Sequence, residues 1–228
     1  MDRGELAAVL DQTLLRPTVG FAEGGAWMDA QAGLGFATLC VSPFLVPLAA
    51  QKLAGSGTAV CSVVGFPFGY CNTETKAEEA KLLVELGCAE VDMVMNVAAF
   101  LEGEDEFVAD DIGAVAAAAR EASGGDALLK VIIETGHLDY EEIPRAASVA
   151  VEAGADFVKT STGFGPRGAS IEDVQLIRGA VGMDVGVKAA GGIRDGAAVL
   201  AMLEAGATRI GTSSGLEILE AWDAGRVQ

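Results

Sequence analysis

The chain of 228 residues is 51% hydrophobic and sets 15 Lys+Arg against 33 Asp+Glu, a formal net charge of −18. That length suits one sizeable domain, the apolar content excludes a disordered chain, and 30 glycines without a three-residue period exclude collagen. A field this negative repels nucleic acid and anionic lipid surfaces, so an anionic substrate would have to be met by cations gathered locally.

The start, Met-Asp-Arg-Gly-Glu, lacks a basic region followed by an apolar run, and no stretch approaches about eighteen uninterrupted apolar residues; neither export nor a membrane span is expected. Further along, short β-branched or apolar runs alternate with alanine-rich helical stretches, the rhythm of repeated βα units. Strands are predicted at 10–15, 36–42, 59–65, 90–96, 128–134, 156–162, 184–190 and 208–213. Among the intervening helices, 75–86 places Ala77, Ala80 and Val84 on one side and Lys76, Glu79 and Lys81 elsewhere. Gly87, Gly154 and Gly206 each follow a helical stretch and can supply the left-handed residue that stops it. The acidic stretch 102–111 reads as a solvated loop entering a helix N-terminus, where carboxylates are favoured, and not as a metal site.

Eight strands alternating with helices in this length predict a single-domain α/β fold over residues 1–228, a closed (β/α)8 TIM barrel. An open dinucleotide-binding sheet would show Gly-x-Gly-x-x-Gly after its first strand, and no strand end here has it. Cys40, Cys61, Cys71 and Cys88 lie in four separate segments without C-x-x-C spacing, which argues against zinc ribbons and redox pairs and suits a reducing cytoplasm, with most of the thiols buried. His137 is the one histidine, in Glu-Thr-Gly-His-Leu-Asp, and reads as a solvated loop residue.

The chemistry lies in the lysines. There are six, and Lys130, Lys159 and Lys188 fall inside strands that a parallel barrel covers outside and packs inside, so all three should be enclosed. Lys159 and Lys188 sit near the C-terminal ends of consecutive strands. Two ammonium groups about 6 Å apart repel by about 3 kcal/mol at an effective dielectric of about 20, and desolvation works in the same direction. One lysine can thereby become a free amine near neutral pH and form a Schiff base with a carbonyl, the other supplying the cation that makes this possible. Asp92, in Glu-Val-Asp-Met-Val-Met-Asn, is a carboxylate inside an apolar strand and needs a cationic partner; with a lysine it can carry protons. The glycine turns Gly191-Gly192 and Gly211-Thr-Ser-Ser-Gly215 follow the last two strands, where barrel enzymes often bind phosphate, and Ser213 and Ser214 add hydroxyl donors.

These segments together resemble the deoxyribose-phosphate aldolase family of class I aldolases. The likeness runs through Leu-Asp-Gln-Thr-Leu-Leu-Arg-Pro at 10–17, Cys-Val-Ser-Pro at 40–43, Val-Val-Gly-Phe-Pro-Phe-Gly at 63–69, Phe-Val-Lys-Thr-Ser-Thr-Gly at 157–163 and Gly-Val-Lys-Ala-Ala-Gly-Gly at 186–192. The resemblance implies that Lys159 forms the Schiff base, Lys188 tunes it and Asp92 joins a proton relay. It further implies that Thr162, Gly163, Gly191, Gly192, Gly211, Ser213 and Ser214 hold a phosphate, with Asp11, Cys40 and Lys130 lining the site. Gln12 stands where the family usually has histidine, which should change a local hydrogen bond and spare the chemistry. The implied activity is reversible cleavage of 2-deoxy-D-ribose 5-phosphate to D-glyceraldehyde 3-phosphate and acetaldehyde, without metal or cofactor, in a cytoplasmic enzyme that can form dimers or tetramers. The alternatives are a related Schiff-base aldolase for another sugar phosphate and a non-catalytic sugar-phosphate binding protein. A metal-dependent aldolase is disfavoured because the histidines for its metal are missing.

Overall fold

The computed structural model describes residues 1–225. All eight expected strands are present, as β1 (Leu10–Leu14), β2 (Thr38–Val41), β3 (Ala59–Val64), β4 (Glu90–Val94), β5 (Leu128–Ile132), β6 (Phe157–Lys159), β7 (Gly186–Ala190) and β8 (Arg209–Thr212). They pair in parallel in chain order, and β8 closes on β1 through Leu10↔Ile210 and Asp11↔Gly211. The helices α1 (Arg3–Ala7), α2 (Phe21–Gln31), α3 (Val46–Leu53), α4 (Thr73–Glu85), α5 (Val97–Leu101), α6 (Asp105–Ser123), α7 (Glu142–Glu152), α8 (Ile171–Val181), α9 (Gly196–Glu204) and α10 (Gly215–Asp223) surround this closed (β/α)8 barrel. None of the described helices is long and apolar enough to cross a membrane.

Strand side chains alternate with a period of two, and that alternation divides the interior. Outward, Leu39, Val91, Met93, Val131, Val187 and Ile210 join the apolar cluster shared with the helices. Inward, Asp11, Asp92, Lys130, Lys159 and Lys188 converge from β1, β4, β5, β6 and β7. The register places Asp92 beside Lys130 and Lys159 beside Lys188.

The expected helix stops are present. Gly87, Gly154 and Gly206 have φ of 113°, 104° and 114°, and the amide after each reaches back five residues, as Cys88 N–H does to the Leu83 carbonyl at 3.0 Å. A Cβ at Gly87 would sit 2.7 Å from that of Ala50, so close helix packing requires glycine there as well.

Two local expectations are corrected. In α4 the buried face is Lys76, Ala80, Leu83 and Val84, so Lys76 is inside and not among the exposed residues. Asp111 likewise leaves the solvated acidic stretch: it lies within α6, fully enclosed, and accepts Lys76 Nζ at 2.6 Å and Thr73 Oγ1 at 2.9 Å. This ion pair joins α4 to α6, and Lys76 also donates to the Val94 carbonyl. Reading the helix by hydrophobicity alone sends lysine outward; a paired carboxylate on the neighbouring helix overrides that. Only residues 102–104 of the acidic stretch are loop.

Candidate active site

The centre is the Asp92 carboxylate, fully buried at the middle of β4. Its Oδ1 accepts Lys130 Nζ at 2.6 Å and the Cys61 thiol at 3.3 Å; its Oδ2 accepts Lys159 Nζ at 2.8 Å and Lys188 Nζ at 2.7 Å. Burial alone would push the Asp92 pKa up, but Lys130, Lys159 and Lys188 reverse this and hold the carboxyl well below the usual range. Lys188 also bonds to Asp11, while Lys130 meets Glu90 at 2.7 Å and Asp11 at 3.7 Å. Burial opposes the charge on both lysines, yet these carboxylates more than offset it and keep both firmly ammonium, Lys188 through Asp11 and Asp92 above all. Arg209 completes the floor by bonding Asp11 at 2.7 Å and Glu90 at 3.0 Å. Four cations thus face three carboxylates, leaving the centre of a strongly anionic protein locally positive.

Above this floor, at the C-terminal ends of the strands, opens a cavity of about 580 Å³. Lys159, the last residue of β6, is the one strand lysine on its wall. The wall also contains Thr162 and Gly163 after β6, Gly191 and Gly192 after β7, and Gly211, Ser213 and Ser214 from β8 onward. Among the described residues the amides of Gly163, Gly191 and Gly192 and the hydroxyls of Ser213 and Ser214 have no protein partner, so they remain available to an anion. At the start of α10, by contrast, the Ser214 amide is committed to Thr212 Oγ1 and the Gly215 amide to Gln12 Oε1 at 2.9 Å. Gln12 therefore makes a defined bond that orders the turn bearing the serines; its Nε2 donates to Gln31.

Asp11, Cys40 and Lys130 are placed differently from the expectation that they line the site. All three are enclosed beneath the cavity and none borders it, because each lies below the strand end where the chain opens outward. They support Asp92 and Lys188 from below. The Cys40 and Cys61 sulfurs and an Asp92 oxygen lie within 4.8 Å of one another, but three ammonium groups already surround that carboxylate and would repel a divalent cation. Burial pushes the Cys61 thiol well up, so it acts as a neutral donor to Asp92. Cys88 is buried, Cys71 is exposed, and His137 is exposed in a short 3-10 turn, as its loop setting suggested.

Sequence reasoning missed Arg194, which stands on the cavity wall beside Gly192 and forms no salt bridge among the described residues. Its signal was available: an arginine two residues after the glycine pair, in Gly-Gly-Ile-Arg. Arg16 also borders the cavity but is paired with Glu23. Phe164 separates this cavity from a second, mostly apolar one of about 300 Å³ flanked by Phe68, Tyr70 and Leu101.

Comparison with known proteins agrees with this geometry. Residues 31–221 match the DeoC/LacD family aldolase. The deoxyribose-phosphate aldolase of a Geobacillus species is 50% identical over 215 residues, covering 94% of this chain and 95% of that protein. The deoxyribose-phosphate aldolase of Bacillus subtilis is 49% identical over 219 residues, covering 96% of each. Among solved structures, the deoxyribose phosphate aldolase of Aeropyrum pernix, described as a unique tetramer, superposes with a TM-score of 0.89 at 31% identity over 98% of this chain and 93% of that one.

Proposed function

This chain belongs to the DeoC/LacD family of aldolases, and from that premise we propose that it is a deoxyribose-phosphate aldolase in which Lys159 is the nucleophile. It reversibly cleaves 2-deoxy-D-ribose 5-phosphate to D-glyceraldehyde 3-phosphate and acetaldehyde. The observation that carries the role of Lys159 is its position: of three enclosed strand lysines, it alone borders the cavity. It also has one carboxylate partner, Asp92, where Lys188 has two and Lys130 three. Of the three it is therefore the least tied down by carboxylates, while Lys188 stays charged beside it.

In the cleavage direction the Lys159 amine adds to the aldehyde carbon of the open-chain sugar, and loss of water gives a protonated imine. The imine accepts the electron pair of the breaking carbon–carbon bond as the neighbouring hydroxyl loses its proton and becomes the aldehyde of glyceraldehyde 3-phosphate. The enamine left on Lys159 takes a proton at carbon, and water then releases acetaldehyde. Asp92, held anionic, faces the iminium charge and spans Lys159 and Lys188, a hydrogen-bonded route for protons from the enclosed side. Arg194, the glycine turns and the serine hydroxyls take the phosphate at the other end of the cavity. The cycle requires neither metal nor cofactor.

The free cysteines support a cytoplasmic setting, and the tetramer described for the Aeropyrum relative supports assembly of this chain as a dimer or tetramer, which light scattering would test. The substrate is tested by following acetaldehyde release across a panel of phosphorylated sugars. The 2-deoxypentose phosphate should be preferred; a preference for another sugar phosphate would overturn the assignment, and no cleavage of any would leave a binding protein.

A further inference from the structure

Glu134 follows β5 and is the one non-glycine residue with a positive φ, 52°, among the described residues. Side chains are disfavoured in that backbone region, and such residues persist where surrounding structure holds them for a purpose. Its carboxylate is 4% exposed and has no cationic partner among the described residues. It is spent on one neighbour: it accepts the Thr162 amide at 3.2 and 3.3 Å and the Thr162 hydroxyl. The Thr162 hydroxyl oxygen in turn accepts the Phe164 amide at 3.0 Å. A Cβ at Gly165 would lie 2.8 Å from Glu134 Oε1, so the chain beyond the turn is moulded to the same carboxylate. The turn held in this way contains Gly163, whose uncommitted amide borders the catalytic cavity, and its Cα lies 3.7 Å from where a Cβ on Gly191 would stand. Glu134 itself is not on the wall of that cavity.

We propose that Glu134 is a positioning residue for the phosphate end of the substrate. From beneath the turn it fixes Thr162 to Phe164, so that the Gly163 amide stands next to the Gly191 turn as a second edge of one anion cradle. This rests on the reading of the chain as an aldolase for a phosphorylated sugar. A carboxylate with two oxygens suits the task because two donors of the same residue, an amide and a hydroxyl, must be met at once.

The test compares Glu134→Gln and Glu134→Gly with wild type on 2-deoxyribose 5-phosphate and on unphosphorylated 2-deoxyribose, with inorganic phosphate as a competing probe. Glutamine keeps one acceptor oxygen and should raise KM for the phosphorylated sugar and the Ki of phosphate by about threefold; glycine should raise both by about tenfold or more. The glycine variant guards against misfolding, because its backbone favours the φ found here. Neither variant should reduce kcat/KM for the unphosphorylated sugar by a comparable factor. Equal losses on the two sugars, or an unchanged Ki for phosphate, would overturn the proposal and leave Glu134 a merely structural residue. Borohydride trapping of acetaldehyde on wild-type Lys159 distinguishes the two levels. If trapping succeeds and the phosphate effects are missing, only the role of Glu134 fails; if wild type is not trapped, the aldolase reading fails and this role with it.

Discussion

On the outward face of β4, Val91 and Met93 pack among helix side chains; on the inward face of the same strand, Glu90 and Asp92 meet four cations from four other strands. Asp92 and Met93 are adjacent and equally inaccessible to water. The outer face gains stability from apolar burial, which is additive and tolerant of similar shapes. The inner face is a network in which every charge is desolvated and needs the others, so it adds little net stability and much specificity of position. The difference teaches that burial by itself does not identify a site. Parity along the strand does, by showing which buried side chains share the barrel interior.

If that division is right, substitutions on the two faces should fail in different ways. The largest effect is expected from Lys159→Ala, which should reduce cleavage to background while thermal unfolding shows the fold intact, since Asp92 keeps Lys130 and Lys188. Lys188→Leu comes next: loss of the cation that shares Asp92 with Lys159 should slow turnover at neutral pH by about a hundredfold. Equal rates for this variant and wild type at neutral pH would contradict the tuning role. On the other face, Met93→Ala should cost about 2–5 kcal/mol in denaturant unfolding and leave kcat close to wild type. A loss of kcat without loss of stability would break the comparison.

Acid should act on the inner face first. Asp11 and Asp92 have folded pKa values below their unfolded ones, so they contribute stability that is fully present above the ordinary carboxylate range. As pH falls below about 4 the unfolded chain takes up these protons before the folded one, and stability declines towards the lowered folded values. Urea midpoints measured from pH 6 downward should fall in that window; a flat profile would show that the network does not discriminate between folded and unfolded chain. The smallest effect is expected from Gln12→His, which disturbs only the bonds to Gly215 and Gln31 and should change activity by less than about threefold.

Much of this was legible in the chain. Lysines and an aspartate inside β-branched runs stand out because the strands of a parallel barrel have no solvent face, so Asp92, Lys159 and Lys188 could be singled out before any contact was known. The glycine pairs and serines were legible as turns following strands. What stayed hidden depends on partners distant in sequence. Lys76 reads as a surface residue until Asp111, on another helix, is placed against it. Glu134 sits in an apolar strand block and acquires meaning only through Thr162, 28 positions on. Arg209 looks like an ordinary strand residue until barrel closure brings it to Asp11 and Glu90. The strands are also shorter than expected, β6 ending at Lys159, because the chain opens outward there to make the cavity wall.

The central claim is that Lys159 alone offers an amine to the cavity. Incubation with acetaldehyde and sodium borohydride, followed by peptide mass spectrometry, tests it most directly. The account predicts an ethyl group on Lys159, with Lys130 and Lys188 unmodified and the adduct absent from Lys159→Ala. An adduct on Lys188 or Lys130, or none on any lysine, would contradict it.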